Sequence, residues 1–330
     1  MAHMEDNATD DAAGPVKTAK SSIKARIRLA ALAVAVCLIA WYIFKHNGDF
    51  SDVWNLSGWT IVAVLGIDVF FYFASAAALF FVLLPFSIRP RATEAFELAM
   101  MTRFFNIIVP LRGGAVARAL YLKKHHDLGA AKFMVGLSGM LLTSIYTSLL
   151  WVLAGLVYLA AAGIEQYTLP IVIVSSALLA LTILAMFRPK IKNTKGKIRK
   201  LLGQLAEGWE QFIRHKSSLL GLIGVYCTII ITQTIMFAIL LNTLAPNSQI
   251  SLGYLAVIVA LGNISMAFQV TPGNMGVYEG LLTGISGMMG LDYKTILMVS
   301  LTWRMIDCMF VFVVGGLCSM RLSKRLSAEQ

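Results

Sequence analysis

Charge is scarce in this chain: Asp, Glu, Lys and Arg together make up 14% of 330 residues, against 58% hydrophobic residues. That balance excludes an ordinary soluble domain, which needs far less apolar sequence to fill one core. The apolar residues also lack the ten-residue alternation of a membrane β-barrel, so the backbone polar groups must be satisfied within helices. Cysteine is nearly absent. Cys37, Cys227, Cys308 and Cys318 all fall inside apolar stretches without paired spacing, which argues against a disulfide framework or a zinc site. There is no nucleotide-binding fingerprint, no paired acidic motif at a helix end and no metal-type histidine cluster. The expectation is a protein that is not an enzyme and uses neither cofactor nor metal. His125 and His126 stand beside Lys123 and Lys124 and read as an interfacial basic patch.

What is abundant is long apolar sequence. Stretches of roughly 20 residues cross a hydrocarbon core of about 30 Å as helices, and they fall at 29–45, 57–86, 131–162, 167–187, 217–242 and 294–319. The net charge of +11 could suggest nucleic acid, but the basic residues cluster in alternate loops. Lys17, Lys20, Lys24, Arg26 and Arg28 precede the first span. Arg89 and Arg91 follow the second, nine more lie between Arg188 and Lys216, and Arg321, Lys324 and Arg325 end the chain, whereas the intervening loops carry only Lys45 and Lys294. By the positive-inside rule both termini and the basic loop are cytoplasmic, in a bacterial-type inner membrane. The excess charge then sets orientation and attracts anionic headgroups; no nucleic acid partner is implied.

Residues 1–24 read as a disordered cytoplasmic tail that begins with a cloning remnant, Met1-Ala2-His3-Met4, and 321–330 as a second cytoplasmic tail. The first apolar segment reads as an uncleaved anchor. Within the membrane domain, 25–320, the insert 188–216 places Ile198, Leu201, Leu202, Leu205, Trp209, Phe212 and Ile213 on one helical face, an amphipathic helix expected to lie on the inner leaflet.

Two Pro/Gly breaks interrupt apolar sequence at corresponding places. The first holds Pro110, Gly113 and Gly114, the second Pro272, Gly273 and Gly276. A complete span over 93–110 would carry Lys123 and Lys124 outside, so 93–127 reads as a re-entrant hairpin from the cytoplasmic side. By analogy 252–290 reads as a hairpin from the outside, although two full spans fit its charges equally well. The fold class is then an all-α polytopic membrane protein of about six full transmembrane helices. Two oppositely oriented re-entrant hairpins complete inverted repeats over 29–163 and 167–319, the architecture of secondary transporters.

Ionisable residues within such sequence must face protein or water. The candidates are Asp68, Arg103, Asn106, Arg112, Arg118, Glu279, Arg304 and Asp307. A helix that starts at a break offers free N–H groups to phosphate, and arginine adds paired contacts. Arg112, Arg118 and Arg304 are therefore the phosphate-binding candidates. Glu279, Asp307 and Asp68 balance their charge, meet a cationic group or exchange a proton. Arg304 and Asp307, three apart on one helix face, can pair with each other. Substitution of Arg304 or Glu279 is expected to spare the fold.

The run Phe105-Asn106-Ile107-Ile108-Val109-Pro110-Leu111-Arg112-Gly113-Gly114-Ala115-Val116-Ala117-Arg118-Ala119, the later Pro272-Gly273-Asn274-Met275-Gly276-Val277-Tyr278-Glu279-Gly280, and Arg304 resemble the lysylphosphatidylglycerol synthase transmembrane-region family. These flippase-like proteins include the flippase domain of the multiple peptide resistance factor. Members typically read P-G-R-x-G-G-x-x-x-R at the first break, where this chain is one residue shorter. At the second they read P-G-G-x-G-x-R-E, where Asn274 and Tyr278 replace a glycine and an arginine. The resemblance implies movement of a lipid with a phosphate-bearing headgroup between leaflets: an aminoacylated phosphatidylglycerol, another phospholipid or a polyprenyl-linked lipid. It leaves synthesis of that lipid to a separate enzyme as a partner. A transporter of a small anionic solute and a noncatalytic partner of a lipid-synthesis enzyme are the alternatives. The sequence does not give the oligomeric state.

Overall fold

The computed structural model describes residues 56–109, 111–163, 167–186, 197–248, 250–269 and 271–328. The expected span 29–45, the tail 1–24, Cys37, Pro110 and the basic loop before Lys197 lie outside the described residues.

Apolar runs opened by capping residues become helices. Ser57 accepts the Thr60 N–H at 3.2 Å and starts α1 (Gly58–Leu83), which tightens into a short 3-10 turn, Leu84–Phe86. Then follow α2 (Ala92–Ile108), α3 (Gly113–His126), α4 (Ala130–Ala161), α5 (Thr168–Met186), α6 (Lys197–Arg214) and α7 (Lys216–Leu244). The chain continues as α8 (Leu252–Ser265), α9 (Val277–Met288) and α10 (Tyr293–Phe310), which runs through a π turn at Val311–Gly315 into α11 (Gly316–Ala328). Asp292 caps α10 by accepting the Lys294 N–H at 3.1 Å, and the Thr295 hydroxyl at 2.6 Å holds its carboxyl below the usual carboxylate range. No strand occurs among the described residues.

Among the described residues five helical segments are long and apolar enough to cross a membrane: 58–86, α4, α5, α7 and 293–325. They coincide with five of the six expected spans. α1 packs along α7 and α4 along α8. These crossings are close because glycine removes side chains at the contact, Gly221 lying against the Phe81 ring and Gly155 against Val257. α5 touches α4 and buries only Leu178, so the described residues leave most of its surface to lipid.

The remaining helices are short. α8 and α9 have 14 and 12 residues, or roughly 21 and 18 Å at 1.5 Å per residue. α2 and α3 have 17 and 14 residues and pack on each other around Gly114. A Cβ at Gly114 would overlap the Thr102 carbonyl, a backbone group that cannot swing aside. Gly114→Ala should therefore cost about 1–3 kcal/mol or more through overpacking. The expected result is a clearly lower unfolding temperature in detergent.

α6 turns much of its apolar face to the protein. Leu205, Trp209, Phe212 and Ile213 pack into the core beside α4, with Phe212 only 1% exposed and set against Gly139. The Gln211 side chain adds a 2.6 Å hydrogen bond to the Pro85 carbonyl. The apolar face expected to rest on the leaflet is largely used by the protein, because Gly139 opens a slot for an aromatic ring; Leu202 stays exposed.

Both breaks turn through consecutive left-handed residues: Leu111 (φ 56°) and Arg112 (φ 60°) at the first, Gly273 (φ 59°) and Asn274 (φ 61°) at the second. Glycine adopts this region freely and asparagine tolerates it, whereas leucine and arginine are strained by about 1–2 kcal/mol each. α2 packs against the turn Pro272–Asn274, so the two breaks meet.

Candidate functional site

A buried charge is tolerable only with partners, so the contacts of each candidate decide what it can still bind. Arg304, 5% exposed on α10, is held on three sides, and its Nη2 has no hydrogen-bond partner among the described residues. Its Nε pairs with Glu279 Oε1, its Nη1 donates to the Gly273 carbonyl at 2.6 Å, and its guanidinium lies 5.3 Å from the Tyr278 ring centroid. Glu279 Oε2 in turn accepts the Gly276 N–H at 2.7 Å. The second break thus carries its own carboxylate on its own helix start.

The expected Arg304–Asp307 pair does not form. Asp307 accepts from the Tyr72 hydroxyl and from Arg103 Nη2, the latter at 2.6 Å. Residues three apart on a helix share a face but diverge in direction. α9 supplies the partner on one side of α10, and α1 and α2 supply it on the other. Asp68, 1% exposed, accepts the Trp303 indole N–H at 3.1 Å through Oδ1, while Oδ2 has no hydrogen-bond partner among the described residues.

The first break is built differently. Asn106 Oδ1 accepts the Gly114 N–H at 2.9 Å and caps α3. Arg112 reaches across to the end of α8 and donates to the carbonyls of Met266 (3.0 Å) and Ala267 (2.7 Å), groups that a helix C-terminus leaves unsatisfied. Arg118 stands one and a half turns into α3 and is 7% exposed. No carboxylate or carbonyl among the described residues accepts from it; its guanidinium lies 5.7 Å from the Phe133 ring centroid. At the far end of α3, His126 Nε2 lies 2.8 Å from Glu94 Oε1, which also accepts the Tyr121 hydroxyl. The histidine patch is thereby tied to the start of α2.

Arg103, Asn106, Arg112 and Arg118 line one cavity of about 250 Å³ between the first break and α1, α4, α7 and α8. Glu279, Arg304, Asp307 and Asp68 are not among its lining residues. The candidates therefore divide into a cavity-facing set and a packing set, with Arg103 shared between them. The cavity also exposes neutral polar groups that the search for ionisable residues passed over: Ser144 and Ser148 on α4, Tyr226 and Gln233 on α7, and Asn263 on α8. Their signal was there to read, as hydroxyls and amides inside otherwise apolar spans.

A family profile described as the Lysylphosphatidylglycerol synthase TM region matches residues 27–315. The chain belongs to this family. No curated protein and no solved structure matches it. As a lysylphosphatidylglycerol synthase TM-region protein it is an integral membrane protein, and its departures from the family pattern have local physical accounts. Asn274 stands where the pattern has glycine, at φ 61°, which asparagine can adopt. Its Nδ2 also donates to Ser265 Oγ at 3.0 Å. Tyr278 stands where the pattern has arginine and supplies the ring on which Arg304 rests. Among the described residues no group of three or more His, Cys, Asp or Glu is placed to hold a metal ion.

Proposed function

We propose that this chain is a lipid translocase that moves a phospholipid, aminoacyl-phospholipid or polyprenyl-linked lipid between leaflets and is not itself an enzyme. One observation carries the reading: Arg118 is buried beside a cavity with no acceptor from the described chain. A buried guanidinium in that position fits a phosphate as its missing partner. Arg112 and the neutral polar wall complete the headgroup site, while the acyl chains stay in lipid.

In this reading α2 with α3 and α8 with α9 are re-entrant hairpins, entering from the cytoplasmic and outer faces respectively. Their lengths support it, since α8 and α9 are each too short for a core of about 30 Å. The meeting of the two breaks supports it as well. The halves around them are inverted repeats that rock about the midplane, with both termini in the cytoplasm of a bacterial-type inner membrane. Transport is passive, driven by a gradient, or driven by consumption of the lipid on the far side, and a separate lipid-synthesising enzyme is the natural partner.

The test is leaflet exchange of a labelled phospholipid in proteoliposomes, read by accessibility to an impermeant quencher. Exchange above that of protein-free vesicles is expected; equal rates overturn the reading. Saturable uptake of a water-soluble anion without lipid exchange would replace it with a solute transporter.

A further inference from the structure

The charge on the cavity wall is one-sided. Three arginines line it and, among the described residues, no aspartate or glutamate does. Arg103 is neutralised by Asp307. Among the described residues Arg112 donates only to neutral carbonyls and Arg118 has no acceptor, so two positive charges face the cavity without a described counter-charge. The nearby acids lie off the described cavity wall and are engaged elsewhere, apart from Asp68 Oδ2, which has no hydrogen-bond partner among the described residues. Glu279 is held by Arg304 and the Gly276 N–H, Asp307 by Tyr72 and Arg103, and Asp68 lies behind Trp303.

We infer that the cavity selects an anionic phosphate ester bearing free hydroxyls and rejects headgroups that carry an ammonium group. This rests on the cavity being the headgroup site, and it narrows the substrate to the phosphatidylglycerol-like class and away from aminoacylated or ethanolamine lipids. An ammonium in this space would meet Arg118 and Arg112 with no carboxylate on the described cavity wall to offset them, and like charges at close range repel. A hydroxyl meets a matching wall. Ser144 and Ser148 can each donate and accept. The Asn263 amide donates to Gln233 Oε1 at 2.6 Å, which leaves the Gln233 amide hydrogens free for a ligand oxygen. The cavity volume of about 250 Å³ suits a headgroup of this kind and is too small to enclose acyl chains as well.

The experiment is lipid retention by the full chain in mild detergent, read by native mass spectrometry. Phosphatidylglycerol, lysyl-phosphatidylglycerol and phosphatidylethanolamine are supplied at equal concentration to wild type and to Arg118→Gln. The expected result is at least tenfold greater retention of phosphatidylglycerol by wild type, and loss of that preference in the variant. Equal or better retention of either ammonium lipid by wild type overturns the inference, whatever the variant does. A preference unchanged in Arg118→Gln overturns the assignment to this cavity. Soluble glycerophosphoglycerol, added as a competitor, separates the two sources of the same chemistry. If it fails to displace the lipid, the ligand is the lipid; if it displaces it at equal concentration, the anionic class stands and the ligand is a free ester. Retention and leaflet exchange are independent readouts, so failure of selectivity is distinguishable from failure of translocation.

Discussion

Arg118→Gln should reduce leaflet exchange by at least a hundredfold while leaving the protein folded. Both halves of that expectation follow from the same fact. The guanidinium has no carboxylate or carbonyl partner among the described residues, so its removal leaves no buried acid behind. Truncating one member of a buried ion pair usually costs about 3–5 kcal/mol because the other member is left exposed to a low dielectric; Arg118 escapes that penalty. Glutamine keeps part of the stem and can still donate a hydrogen bond, but it gives up the guanidinium's place over the Phe133 ring and cannot offset a phosphate charge. Charged hydrogen bonds contribute about 1.5–3 kcal/mol each, so loss of a two-bonded contact of this kind is worth two or more decades of rate. Exchange rate and unfolding temperature, measured on the same preparation, check the claim. A variant that exchanges normally would show that the cavity is not on the path.

Arg304→Ala should behave in the opposite way and fail at the level of folding. Arg304 joins Glu279, the Gly273 carbonyl and the Tyr278 ring, and Glu279 also caps α9. Alanine would strand a carboxylate that is 5% exposed and release the left-handed turn from the hydrogen bond that Arg304 donates to the Gly273 carbonyl. The expected cost is about 3–5 kcal/mol, seen as poor yield and a sharply lowered unfolding temperature. The double variant Arg304→Met with Glu279→Gln removes both charges together and should recover much of the loss. If Arg304→Ala folds as well as wild type and loses only transport, Arg304 contacts substrate after all.

Much of the architecture was legible in the sequence because long apolar runs have one economical solution in a membrane. α1, α4, α5, α7 and the α10–α11 segment fell where hydropathy put them. Both breaks were visible as Pro/Gly clusters. Their meeting was not, since it depends on α2 packing against the turn Pro272–Asn274, far along the chain. The site was legible as a set of residue types but not as a partition. Spacing on one helix suggested Arg304 with Asp307, whereas side chains on α9, α1 and α2, remote in sequence, compete for both and win. α6 illustrates the same limit. An amphipathic pattern says that one face is apolar but not whether lipid or protein covers it, and the deciding residue, Gly139, lies on another helix.

The grip of Arg112 on the end of α8 has a consequence for how this chain can vary. Its two acceptors are main-chain oxygens, which every residue type supplies. Met266 and Ala267 can therefore be replaced as far as this latch is concerned, since the acceptor oxygens stay in place. In the proposed translocation cycle, resetting the two breaks would have to act on Arg112 itself, either by offering its guanidinium a better anion than a peptide carbonyl or by bending the left-handed turn on which it sits. A phosphate arriving in the adjoining cavity is such an anion, so the cargo would be the key to its own gate.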